Sequence, residues 1–254
     1  MQQLRLFFIA LQFFTRLPIP RWVGFQAEWL HHASRYFPLV GLVVGGIAAA
    51  VYWAAALILP PAVAVLLSTA AGIYATGAFH EDGFADACDG LGGGMTRERA
   101  LEIMKDSRIG AYGAIGTIVL LAVKCTALAS LALPACVAAL CVGHPLSRLM
   151  AASLIWRMDY ARAEGKAKPM AQQMTGGEFA IAVICCVPPL LAAGLLGALS
   201  WTSLGIGIAA MLIVTLWFAR KLQVRLGGYT GDCLGAVQQL AEVAFYLSVL
   251  AQWT

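Results

Sequence analysis

Seven apolar stretches, each close to 20 residues, run along this chain at roughly 38–60, 61–79, 110–133, 134–156, 179–198, 200–218 and 233–252. A stretch of that length is enough to cross a bilayer as an α-helix. Two of the joints, Pro60-Pro61 and Leu133-Pro134, are so short that their flanking helices should form hairpins that barely leave the membrane. Ahead of the first stretch, Leu6 to Phe14 is apolar but too short to span, and Arg16 follows at once with no small-residue cleavage pattern. Gln2, Arg5, Gln12 and Arg16 recur at near-helical spacing, which predicts an amphipathic helix lying on the membrane surface. The expected fold is all-α: a polytopic helical membrane protein with about seven transmembrane helices, forming one domain over residues 1–254. Its polar parts are an N-terminal segment (1–37), a loop at 80–109 and a glycine-rich loop at 219–232.

Charge gives this pattern a direction. Arg5, Arg16, Arg21 and Arg35 precede the first span, and Arg97, Arg99, Lys105 and Arg108 follow the second. Arg157, Arg162, Lys166 and Lys168 follow the fourth span; Arg220, Lys221 and Arg225 follow the sixth. The loops near residues 60, 133 and 199 and the C-terminal Gln252-Trp253-Thr254 carry neither Lys nor Arg. Such alternation places the N-terminus in the cytoplasm and the C-terminus outside. With 61% hydrophobic residues, 12% charged residues and a mean hydropathy of +0.79, a soluble domain is excluded. The net charge of +4 then reports topology and attraction to the membrane surface, and no nucleic-acid partner is expected. The seven cysteines form no Cys-x-x-Cys pair and lie mostly in apolar spans, where cysteine packs as a small hydrophobe.

In a chain so poor in charge, the run His80-Glu81-Asp82-Gly83-Phe84-Ala85-Asp86-Ala87-Cys88-Asp89-Gly90 stands out. Asp82, Asp86 and Asp89 sit at i, i+4 and i+7, within one narrow stripe if the segment is helical. Carboxylates gathered this way suit Mg²⁺, whose other ligands come from substrate phosphates. Asp82 and Asp86 are the expected metal ligands; Asp89 could complete the site or act as a general base. His80 could orient an aspartate, touch a phosphate or cap its span. Gly227-Gly228-Tyr229-Thr230-Gly231-Asp232, on the same predicted side, has the character of a backbone loop that wraps an anion, with Asp232 as a further ligand. Lys105, Ser107 and Arg108, beside Asp106, offer phosphate contacts at the membrane edge. Within the spans, Lys124, Arg148 and Glu242 each require either an internal ion pair or, for Arg148 and Glu242, a polar cavity reaching down from the cytoplasm.

The motif His80-x-Asp82-Gly83-x-x-Asp86-x-x-Asp89-Gly90 resembles the signature of the adenosylcobinamide-GDP ribazoletransferase, or cobalamin 5′-phosphate synthase, family. Four other segments are similar to that family's motifs, in order: Phe13 to Pro20, Arg35 to Gly41, Leu101 to Gly110 and Gly228 to Ala236. The resemblance implies a Mg²⁺-dependent transferase of the bacterial cytoplasmic (inner) membrane, its active site facing the cytoplasm. Its substrates would be adenosylcobinamide-GDP and α-ribazole or α-ribazole 5′-phosphate. Arg16, His80, Ser107, Arg148, Thr230 and Gly231 become expected substrate contacts, and Arg108 and Lys105 stabilisers of phosphate charge. Homo-oligomerisation stays open. A CDP-alcohol phosphotransferase fits poorly, because Asp86-Ala87 stands where that class needs Ala-Arg. A cation-coupled transporter would instead need acids at mid-membrane depth and discontinuous spans.

Overall fold

The computed structural model describes residues 1–161 and 174–251. Arg162, Lys166, Lys168 and Gln252-Trp253-Thr254, used above to orient the chain, lie outside the described residues. The remainder is helical, and its only β-feature is an isolated bridge between Tyr160 and Tyr229. The N-terminal segment holds α1 (Gln2–Phe14), α2 (Ala27–Ala33) and two 3₁₀ turns, Arg21–Val23 and Ser34–Tyr36. Then come α3 (Phe37–Ala56), α4 (Pro61–Thr76), α5 (Phe79–Gly93) and α6 (Arg97–Ile103). The second half is α7 (Ala111–Ala129), α8 (Leu133–Arg157), α9 (Gly176–Leu195), α10 (Trp201–Leu226) and α11 (Gly231–Leu250).

Among the described residues, six helical stretches are long and apolar enough to span a membrane: Glu28–Ala56 and helices α7 to α11. The expected second span is different. It is a broken pair, α4 and α5, bent by 89°, which brings the count to seven only if the pair is one span. The break is built from two consecutive left-handed residues, Gly77 (φ 66°) and Ala78 (φ 61°). Left-handed backbone ends a helix, and Ala in that region is strained. The 16 residues of α4 reach only about 24 Å at 1.5 Å per residue, short of a ~30 Å hydrocarbon core. If α4 stands along the bilayer normal, the bend lays α5 nearly in the membrane plane and sinks it slightly below the surface. The stretch 80–109, expected as a loop, is therefore mostly the helices α5 and α6. Thr96 caps α6, accepting the backbone N–H of Arg99.

The bundle is organised on α8, most of whose length is buried, and on α11, which packs against α5, α8 and α10. The most extensive helix–helix packing is between α3 and α8. A Cβ at Gly41 would lie 2.6 Å from the His144 carbonyl oxygen and 2.8 Å from Arg148 Cδ; one at Gly45 would lie 2.7 Å from the Leu140 carbonyl oxygen. Gly41 and Gly45 thus form a small-xxx-small seam that lets two backbones touch. Gly41→Ala is expected to destabilise the bundle by about 1–3 kcal/mol, since the obstacle is backbone. Thermal unfolding in detergent measures this; an unchanged midpoint would show slack at that crossing.

The N-terminal segment packs on the bundle. Leu6, Ile9, Ala10, Leu11 and Phe14 of α1 are buried. Glu178 at the start of α9 receives His32 at 2.7 Å and Arg35, while closing a capping box with Thr175. Past α1, the Arg16 backbone N–H donates to the Ala75 carbonyl at 2.8 Å, and its guanidinium lies against Gly77. Arg16 is thereby fixed over the α4–α5 break. Lys and Arg concentrate at the end of the bundle that carries this break, and the turns Leu57–Pro60, Ser130–Ala132 and Leu196–Ser200 at the other end have none.

Candidate active site

At the basic end, α5 crosses the start of α11 on two glycines. A Cβ on Gly83 would lie 3.0 Å from the Asp232 carbonyl oxygen, and one on Gly235 would lie 3.0 Å from that of His80. With no side chains between them, the helices meet backbone to backbone. Gly83, next to Asp82 and one helical turn before Asp86, thus meets the backbone of Asp232, although 150 residues separate Asp82 from Asp232. Asp82 is exposed, and Asp86 and Asp232 are half-buried.

The glycine-rich loop that delivers Asp232 is held from both sides. The Tyr229 N–H donates to the Asp159 carbonyl at 3.0 Å, and the Ala161 N–H donates to the Tyr229 carbonyl at 2.8 Å. Arg97 donates to the Leu226 and Ala161 carbonyls at 2.7 and 2.9 Å, and Arg225 to that of Gly94. Tyr229 and Thr230 have no exposed surface. Burial pushes the Tyr229 phenol above its usual range, so it stays neutral. The Thr230 hydroxyl is the N-cap of α11, accepting the Cys233 N–H at 3.4 Å and donating to Asp232 Oδ2 at 3.2 Å. Thr230 orients Asp232 from beneath the surface, and of the loop residues expected to meet substrate it is Gly231 that lines a cavity.

Asp89 differs from its two companions. It is 8% exposed, and its oxygens accept the N–H of Gly110 at 2.7 Å and of Gly113 at 2.8 Å. It is an N-terminal cap for α7 supplied from another helix. The same bonds tether the segment Lys105–Gly110 to α5, which places Lys105, Ser107 and Arg108, all exposed, on the rim beside the acidic helix. Arg108 grips Asp106 through Nε at 3.0 Å and Nη2 at 2.7 Å. Those hydrogen bonds hold the Asp106 carboxyl down to about 2, so the pair is ionised across the neutral range.

Below the crossing lie two adjoining cavities that share His80, Arg148 and Gln238. One, a narrow space, is walled by Phe13, Phe14, Phe37 and Phe79. The other, equally narrow, has a more polar lining that includes Glu81, Lys124, His144 and Gln239. Arg148 is 3% exposed; its Nη1 donates to the His144 carbonyl at 3.1 Å, and its Nε has no hydrogen-bond partner among the described residues. Deeper still, Glu242 pairs with Lys124 at 2.5 Å and accepts from Gln238 at 2.5 Å, Tyr246 at 3.2 Å and Ser147 at 3.3 Å. So the two alternatives open for the intramembrane charges divide: Glu242 takes the ion pair, and Arg148 takes the cavity.

Three contributors escaped the sequence reading. Glu81, inside the acidic run, turns away to accept Gln239 at 2.8 Å. Phe14 stacks on His80 with ring centroids 5.7 Å apart and 18° between planes. Gly235 completes the crossing. Of these, Gly235 carried a signal, since with Gly231 it makes a second small-xxx-small spacing.

Among the described residues, no three His, Cys, Asp or Glu side chains converge as a ready-made metal cage. Mg²⁺ does not require one, because it is commonly held by one or two carboxylates plus substrate phosphates and water. The all-oxygen set of Asp82, Asp86 and Asp232 fits that mode.

The family described as cobalamin-5-phosphate synthase matches residues 6–251 of this chain. A protein of Leptothrix cholodnii named adenosylcobinamide-GDP ribazoletransferase is 50% identical over 255 residues, covering 97% of this chain and 95% of its own. Proteins of the same name from Shewanella frigidimarina and Vibrio cholerae are 48% and 45% identical; they cover 99% and 98% of this chain, and 96% and 94% of their own lengths. No solved structure matches.

Proposed function

The chain belongs to the cobalamin-5-phosphate synthase family, and from that premise we propose the reaction its basic end performs. It joins adenosylcobinamide-GDP to α-ribazole or α-ribazole 5′-phosphate, releasing GMP and forming adenosylcobalamin or its 5′-phosphate. The observation that supports this reading is the glycine crossing of α5 and α11, which packs the acidic run at Gly83 against the backbone of Asp232 at the basic end. With the positive-inside rule, that surface faces the cytoplasm of a bacterial inner membrane.

In the reaction, a ribose hydroxyl oxygen bonds to the phosphorus that carries the aminopropanol arm. The phosphoanhydride bond breaks, GMP departs with its electron pair, and the hydroxyl proton passes to water at the exposed mouth. Asp82, Asp86 and Asp232 would hold Mg²⁺, which when bound neutralises pyrophosphate charge and eases GMP departure. Asp89 holds α7 and the rim segment against α5, fixing where Lys105 and Arg108 stand. Arg108 reaches a phosphate by exchanging Asp106 for it, while Lys105 and Ser107 lie exposed beside it. Thr230 steadies Asp232 through its hydroxyl. No step calls for a covalent enzyme intermediate.

The test is direct. The full chain in detergent, given adenosylcobinamide-GDP, α-ribazole 5′-phosphate and Mg²⁺, should release GMP in step with a corrinoid product. Folded protein that releases none under these conditions would overturn the reading.

A further inference from the structure

Behind the acidic helix the bundle leaves a cleft of ≈ 310 Å³, lined by α5, α7, α10 and α11. We propose that this cleft is the site of one anionic phospholipid from the leaflet at the basic end. Its acyl chain lies among the aromatic rings of the cleft, and its phosphate meets Lys221. The proposal is independent of the reaction assigned above.

The cleft follows from how small and large side chains are distributed. By the helical repeat, Phe84 and Leu91 stand roughly half a turn round α5 from Asp82 and Asp89, and both line the cleft. Between them, Ala87 and Cys88 are too small to fill the space toward α10, which lines the far side with Trp217 and Phe218. The walls are held in place. α11 packs against both α5 and α10, and Arg225 near the end of α10 donates to the carbonyl of Gly94, the residue that closes α5. An apolar space kept open in this way forfeits dispersion contacts, and the filler a bilayer supplies is an acyl chain.

The polar end of the cleft narrows the occupant. Lys221 is its one charged residue among the described lining. It is exposed, in the last two turns of α10, with its ammonium 5.6 Å from the centroid of the Trp217 ring. No carboxylate lies within ion-pair distance of it among the described residues. Tyr112, in the first turn of α7, and Trp217, one turn deeper than Lys221, are both exposed. Amphipathic rings of this kind settle at the headgroup level of a bilayer, and a lysine there attracts a headgroup of net negative charge. A soluble anion would meet Lys221 but leave the rings uncovered. A neutral chain would cover the rings but leave Lys221 unanswered. The lipid therefore packs on the face of α5 opposite its aspartates and braces that helix from behind.

Native mass spectrometry of the full chain in detergent, with added phosphatidylglycerol or phosphatidylcholine, reads the site without turnover. The parent should retain one phosphatidylglycerol in preference to phosphatidylcholine. Lys221→Glu is expected to weaken that first binding step at least about fivefold. Arg220→Glu makes the same charge change on an exposed neighbour outside the cleft, and should alter it less than about twofold. Trp217→Ala removes part of the wall and should weaken the same step with the charge intact. Phosphatidylglycerol should raise the thermal midpoint of the parent but not of Lys221→Glu, and midpoints without lipid show that each variant is folded. Equal losses in Lys221→Glu and Arg220→Glu would reduce the effect to diffuse surface charge and overturn the proposal. So would equal retention of the two lipids by the parent. A dimer mass without lipid, abolished by Trp217→Ala, would seat a second copy of the chain on the cleft and overturn it as well.

Discussion

Asp82→Asn is expected to reduce GMP release by about three orders of magnitude while leaving the thermal midpoint close to that of the parent. The size follows from the several kcal/mol that a metal contributes to charge stabilisation in a transferring phosphoryl group, at 1.36 kcal/mol per decade. The unchanged stability follows from exposure: the Asp82 side chain faces solvent, so its amide analogue loses no buried partner. Asp89→Asn should behave in the opposite way. Its carboxylate accepts two backbone N–H groups, and an amide can turn only one accepting oxygen toward them. The N–H left facing an amide donor is expected to destabilise the protein by about 1–3 kcal/mol. Activity should then fall together with the folded fraction. Steady-state rates and unfolding midpoints on both variants check this. Full activity in Asp82→Asn would refute the metal role of the acidic helix, and a stable but inactive Asp89→Asn would return Asp89 to the chemistry.

The contrast between these neighbours marks what the sequence could convey. The i, i+4, i+7 spacing made Asp82, Asp86 and Asp89 look like one stripe, and α5 is indeed helical. What separates Asp89 is Gly110 and Gly113, more than 20 residues away, and a cap supplied across helices leaves no local pattern. The spans were legible because bilayer thickness dictates their length. The break at Gly77-Ala78 was not, because nothing local demands that Ala78 be left-handed. Arg148 and Glu242 looked equivalent as buried charges, and only the packing of α7 against α11 supplied Lys124 to one of them. A mid-membrane acid and a discontinuous span are features a transporter would also need. Here the acid is already neutralised by Lys124, and the acidic run of α5 lies at the basic end.

The neutralised acid is where the largest effect on stability should appear. Glu242 lies 11 residues into α11, about 16 Å along its axis and near the middle of a ~30 Å hydrocarbon core. It is fully buried, Lys124 is 5% exposed, and they meet at 2.5 Å. Removing one partner strands the other, so Glu242→Gln is expected to destabilise the protein by about 3–5 kcal/mol. Lys124→Met should do less harm, because Gln238, Tyr246 and Ser147 still donate to the carboxylate. The double variant Lys124→Met/Glu242→Gln should recover most of the loss, since it leaves no charge unpaired. Unfolding of all four proteins in one detergent gives the coupling. If the two single losses simply add, the pair does not act as a unit and the contact is not what holds α7 to α11. If the double variant is stable and still releases GMP, the pair belongs to the frame beneath the site, and the intramembrane acid has no part in moving a cation.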